Sequence, residues 1–272
     1  VVESGVVGLL VGVLVVAPWV TGGYVRLLDW VSGPSSTVSP GLYGLSDNAL
    51  DAMPWRLGIE ALRQVFGPAP TAWLVVLLPF PIAAAGAAHL VRMGRLPSYA
   101  AALMAVSTPL IVDRVTAGHV AYLLGLSLLP WLLSAALNAR SQQRWFSART
   151  AGWYALAIAV SPHMAWLGGM VLLLVTLLPR TTRRDVVRLL LTGIAAVGTY
   201  AYAAFVVLSG VPTLSISDAD LTAFATKAGP GGLLPTVLSL HGYWRNWDGQ
   251  VRNVLGPFAL ALAFALAAVI VI

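Results

Sequence analysis

Long apolar runs alternate with short polar turns along this chain, and a run of about 20 such residues matches the roughly 30 Å hydrocarbon core of a bilayer. On that pattern spans are predicted at 2–20, 71–91, 98–112 and 120–137. Two short runs follow at 150–160 and 164–178, then two further spans at 187–209 and 254–272. The predicted fold class is all-α, a polytopic transmembrane helical bundle of about eight spans, because only backbone bonded within its own segment is stable in lipid. A single transmembrane domain is expected over 1–272, with a first outer loop at about 22–70 and a last outer loop at about 210–253. The chain begins without Met and ends inside the apolar run LGPFALALAFALAAVIVI, so it is expected to be a C-terminally truncated piece of a longer protein.

The segment 150–178 reads in two ways. As one helix it would be kinked at Pro162; as two, it is a hairpin with its apex at Ser161-Pro162-His163. Charge decides for the hairpin. The loops VRMGRLP, NARSQQRWFSART and PRTTRRDVVR hold nine of the sixteen basic residues and one acid, Asp185. The alternate loops hold seven basic residues against eight acids. Cytoplasmic loops are enriched in Lys and Arg, and only the hairpin keeps all three arginine-rich loops on one side. This puts the N-terminus in the cytoplasm and the long first insert outside, in a multi-pass plasma-membrane protein.

Composition agrees with a lipid solvent: 58% of residues are hydrophobic, 10% are charged and the mean hydropathy is +0.84, against roughly 25% charged in soluble domains. The net charge of +6 sits in the loops between apolar runs, which points to membrane topology and lipid headgroups and not to nucleic acid. Cysteine is absent, so there is no disulfide framework and no thiolate site. Phosphate-binding loops, HExxH and GxSxG signatures are also absent, which disfavours an ATPase, a zinc protease or a serine hydrolase.

Polar residues with chemical potential gather in the outer segments. In PWRLGIEALRQVFG, Trp55, Ile59, Leu62 and Phe66 fall on one helical face and Arg56, Glu60, Arg63 and Gln64 on the other. That pattern suits a helix in the membrane interface, and equally one packed on neighbouring spans. Asp29 follows the first span, between Leu28 and Trp30; a carboxylate in such surroundings suits a general base or a metal ligand, or a loop acid paired with Arg26. Asp113 and Arg114 close the third span and His119 opens the fourth, where ionisable groups line a site or form a local ion pair. His163, at the hairpin apex, can join His119 in one outer cavity. In the last outer loop, HGYWRNWD offers Tyr243 and Trp244 for stacking on a sugar and Arg245 for a phosphate; an interfacial aromatic belt accounts for the same tryptophans.

This arrangement resembles the GT-C superfamily of integral membrane glycosyltransferases. Asp29 matches the position of that family's acid in the first outer loop, Trp55 to Phe66 resembles its interfacial helix, and STPLIVDRVTAGHVAYLLGLSLLPW and AVSPHMAWLGG resemble stretches of its bacterial and archaeal members. The arginine-rich, lysine-poor composition resembles that of an actinobacterial protein. The resemblance implies a polyprenyl-phosphate sugar donor in the membrane lipid, a glycan, lipid or protein acceptor of the cell envelope, and a divalent cation (Mg or Mn) held by Asp29 and Asp113. It implies Asp29 as the catalytic residue, with Arg114, His119, His163, Tyr243, Trp244 and Arg245 binding substrate. A transporter or flippase of lipid-linked glycans, or a non-catalytic assembly subunit, would carry the same apolar pattern.

Overall fold

The structure is a computed structural model that describes residues 1–21, 24–25, 27, 53–91, 94–140 and 145–202, with a few positions beyond (217–219, 222 and 232–234). The predicted last span at 254–272 and most of both outer loops lie outside the described residues.

The described residues are helical apart from a two-residue ladder. Helix α1 (Val2–Val16) continues through a 3-10 turn (Ala17–Trp19) into β1 (Val20–Thr21), which pairs antiparallel with β2 (Tyr24–Val25) across Gly22-Gly23. Helix α2 (Met53–Phe66) follows, then α3 (Pro68–Leu77) and α4 (Pro79–Val91) as one span broken only at Leu78. Next come α5 (Arg95–Val106), α6 (Pro109–Ala117), α7 (Val120–Ala139), α8 (Ala148–Val160), α9 (His163–Thr176) and α10 (Arg183–Gly198). Among the described residues, three stretches are long and apolar enough to cross a membrane: Val2–Trp19, Pro68–Val91 and Val120–Ala139. A fourth arises if α5 and the body of α6, bent by 41°, are one span. That bend falls within the span predicted at 98–112. Thr108 precedes Pro109 and is held extended (ψ 148°), because proline excludes the helical conformation from the residue before it.

Residue contacts fix the direction of each helix. Gly5 faces Ala85 and Gly12 faces Phe80, so α1 and α4 are antiparallel. The Tyr99 hydroxyl donates to Glu3 at 2.6 Å, which places the start of α5 beside the start of α1. Helix α7 begins at the opposite end and returns, since Trp131 stacks on His89 in the last turn of α4, with ring centroids 5.2 Å apart. Helices α8 and α9 form the hairpin. A Cβ on Gly168 would strike the Tyr154 ring, and the Tyr154 hydroxyl donates to the Ala165 carbonyl. In a continuous helix Gly168 would lie about 21 Å beyond Tyr154. Arg140, Arg149, Arg180, Arg183 and Arg184 therefore share one end of the bundle with Glu3 and Arg95, and Arg114, His119 and His163 share the other.

Small residues let the helices approach closely, as packing in lipid requires. Ser4, Gly8, Gly12 and Val16 form the buried face of α1, where a Cβ on Gly8 would lie 2.6 Å from the Phe80 carbonyl oxygen. Helix α7 is the centre. Its Leu124, Leu128 and Leu132 pack with Tyr154, Ile158 and Met164 on one side, and its Val120 and Leu123 with Phe80, Val106 and Val115 on the other.

At the arginine-rich end the start of α10 is fixed to the end of α7. The Thr182 hydroxyl accepts from the Asp185 amide and the Asp185 carboxylate accepts from the Thr182 amide, a reciprocal cap. Arg188, 1% exposed, donates to Asp185 Oδ1 at 2.8 Å and to the Ala139 carbonyl at 2.6 Å. The Thr182 hydroxyl and amide, with Arg188, hold the Asp185 carboxyl below the ordinary carboxylate range. A lowered folded-state value makes this stabilisation complete at neutral pH and removes it as pH falls through the carboxylate range. Asp185→Asn is expected to lower thermal stability in detergent at pH 7, with the gap from the wild type closing on acidification. Gly8→Val is expected to cost about 1–3 kcal/mol at any pH through overpacking.

Candidate functional site

At the end opposite the arginines, three elements bring three of the predicted residues, Arg114, His119 and His163, together with Tyr122. Helix α6 ends at Gly118, whose positive φ of 82° supplies the left-handed turn, and the His119 amide bonds back to the Arg114 carbonyl at 3.0 Å. This turn returns the chain so that Arg114 Nη1 lies 2.8 Å from His119 Nδ1. Guanidinium can only donate, so His119 Nδ1 accepts, the ring is neutral and its proton is on Nε2. One turn into α7, Tyr122 lies beneath the Arg114 guanidinium, 4.6 Å from its ring centroid. The far edge of the cluster is the α8–α9 apex: the His163 ring meets Tyr122 edge-on at 5.7 Å, and His163 Nδ1 is 3.4 Å from the hydroxyl of buried Ser161. Arg114 and His119 are half-buried and His163 is exposed, so the cluster has a protein floor and an open face.

Asp113 stands beside Arg114 but is buried, at 8% exposure, while the Arg114 guanidinium turns toward His119 and Tyr122. Among the described residues no group of three or more His, Cys, Asp or Glu could hold a metal ion. Asp29, Tyr243, Trp244 and Arg245 lie outside the described residues.

Helix α2 contributes in two ways. Its Trp55, Ile59 and Leu62 pack against the bundle core while Phe66 is 55% exposed, so most of the predicted apolar face is covered by protein. Glu60, placed by periodicity on the polar face with Arg56 and Arg63, is instead buried at 9% exposure and accepts from Gln64 Nε2 at 2.7 Å. Helix α2 touches both α3 and α8, and contact on two sides covers more of its circumference than the apolar stripe alone. No signal in the sequence distinguished Glu60 from its solvated neighbours.

A lateral groove with a volume of about 360 Å³ runs between α4, α5, α6 and α7. Phe80, Met104, Leu110, Ile111, Leu123 and Leu126 are among its predominantly apolar lining. Leu110 and Ile111 precede Arg114 by one helical turn, and Leu123 and Leu126 follow His119 and Tyr122 by one turn. The groove thus ends where the cationic and aromatic cluster begins.

The chain matches no protein-family model, no curated protein and no solved structure.

The shared placement of Arg114 over Tyr122 predicts energetic coupling. In a double-mutant cycle with Arg114→Gln and Tyr122→Leu, followed by thermal unfolding in detergent, the two changes are expected to be non-additive by about 0.5–3 kcal/mol; additive effects would show that the contact contributes nothing.

Proposed function

We propose that this chain is a membrane-embedded glycosyltransferase of the GT-C type, moving a sugar from a polyprenyl-phosphate donor to a cell-envelope acceptor on the extracytoplasmic side. One observation carries the reading: an open apolar groove ends one helical turn from a guanidinium held by a neutral histidine and an aromatic ring. A lipid-borne phosphate fits that combination, with its tail in the groove and its charged head at Arg114, since guanidinium recognises phosphate through paired, directional donors. The described spans then belong to a bundle of about eight in the plasma membrane, with a cytoplasmic N-terminus.

In this mechanism Asp29 takes the proton from the acceptor hydroxyl as it attacks the sugar carbon. Arg114 offsets the charge that grows on the departing polyprenyl phosphate, and Arg245 shares that role. His119 Nε2–H and His163 supply further donors at the open face, and Tyr243 and Trp244 stack on the sugar. A divalent cation, where one takes part, adds electrostatic stabilisation of the phosphate.

Transport or flipping of a lipid-linked glycan would need polar groups along the depth of the bilayer. Among the described residues the ionisable side chains stand at the two ends of the bundle, which favours chemistry at one face. With the full-length protein in membranes supplied with polyprenyl-phosphate sugar, Asp29→Asn and Arg114→Gln are each expected to reduce transfer at least a hundredfold. Arg114→Gln should also weaken donor binding, whereas Asp29→Asn should leave it intact. Wild-type transfer in both variants would overturn the assignment.

A further inference from the structure

A second groove opens on the other side of α9, toward the arginine-rich end. It lies between α9 and α10, has a volume of about 610 Å³, and is lined by Leu173, Thr176, Val186, Leu190, Gly193 and Ile194 among others. Gly193 supplies no side chain, so the groove has depth at that point; a Cβ there would reach Leu172 Cδ1 at 3.4 Å. Val186, Leu190, Gly193 and Ile194 form a strip along α10, about one turn apart. Extending that strip toward the helix N-terminus by one turn reaches Arg183, and Arg180 stands in the turn that joins α9 to α10.

Two exposed arginines thus stand beyond the groove at that end of the helix pair. Arg180 has φ 62°, in the left-handed region that a non-glycine residue seldom adopts. The turn that carries it is tied to the end of α7, where Arg140 Nη2 donates to the Pro179 carbonyl at 2.7 Å. The nearby acid, Asp185, already accepts from Thr182 and Arg188. At the same end, Arg184 lies over the Trp145 ring at 5.0 Å, and Trp145 and Phe146 are 56% and 42% exposed, as suits side chains lodged among lipid headgroups.

The geometry points to a binding site for one anionic phospholipid of the leaflet at the arginine-rich end, its acyl chain in the α9–α10 groove and its phosphate between Arg180 and Arg183. Charge selects the occupant: an apolar slot alone accepts any acyl chain, but a two-arginine rim with its neighbouring carboxylate already satisfied selects a headgroup of net negative charge. This site is independent of the glycosyltransferase reading, whose groove lies among α4 to α7 and ends at Arg114.

The test is native mass spectrometry of the full chain in neutral detergent, with phosphatidylglycerol or phosphatidylcholine of identical acyl chains added. One retained phosphatidylglycerol is expected at occupancy at least fivefold above phosphatidylcholine. The Arg180→Gln/Arg183→Gln variant should reduce phosphatidylglycerol to the phosphatidylcholine level. Ile194→Trp, at an exposed groove position, should reduce retention of both lipids. Glycerol phosphate, which has the head without the tail, should not displace the lipid. Equal retention of the two lipids by the wild type, unchanged retention in the double-glutamine variant, or full displacement by glycerol phosphate would each overturn the proposal.

Discussion

Unpaired charge is costly in hydrocarbon, and the described part of this bundle is arranged around that constraint. Its ionisable side chains stand at two ends, separated by the length of α7, about 30 Å at the helical rise. Between them the helices are joined by glycine, alanine and apolar contacts. Arg188, 1% exposed, is a buried charge satisfied by Asp185 and the Ala139 carbonyl. Removing that pairing would leave a buried cation with nothing to offset its desolvation.

The two ends then acquire different chemistry from the same physics. At one, arginines crowd into three turns with interfacial aromatics. At the other, the Arg114 guanidinium is set between a neutral imidazole and a phenol ring by the tight turn at Gly118. Each end also opens onto an apolar groove, on opposite sides of α9. A lateral groove with a cationic mouth is how a protein can hold an amphiphile without extracting it fully from the bilayer: the tail stays in an apolar medium while the phosphate exchanges water for fixed donors. The proposed catalytic role rests on the groove beside Arg114, and the lipid site on the groove beside Arg180 and Arg183.

Much of the helical layout was legible in the sequence because lipid punishes error in apolar length. Helices α1, α3 with α4, and α7 fall where the apolar runs do, and the hairpin at Ser161-Pro162 followed from keeping the arginine-rich loops on one side. The bend between α5 and α6 was written in Thr108-Pro109, but hydropathy averages over such a break and merged the two helices. Arg114, His119 and His163 were separately visible as polar residues at helix ends. That Tyr122 joins them was not, since a tyrosine one turn into an apolar helix reads as packing. Glu60 was misplaced for a related reason: periodicity describes one apolar stripe, whereas α2 is covered from two directions. Arg188 was counted with the loop arginines because charge asymmetry records which side a residue is on and not whether it is buried.

The orientation of the two ends is the claim on which the account turns, and the absence of cysteine makes it directly measurable. His163→Cys and Arg180→Cys place single thiols at exposed positions on opposite ends. In intact cells a membrane-impermeant maleimide is predicted to label the thiol at position 163 and to reach the one at position 180 only after permeabilisation. Labelling of both without permeabilisation, or of position 180 alone, would contradict the account.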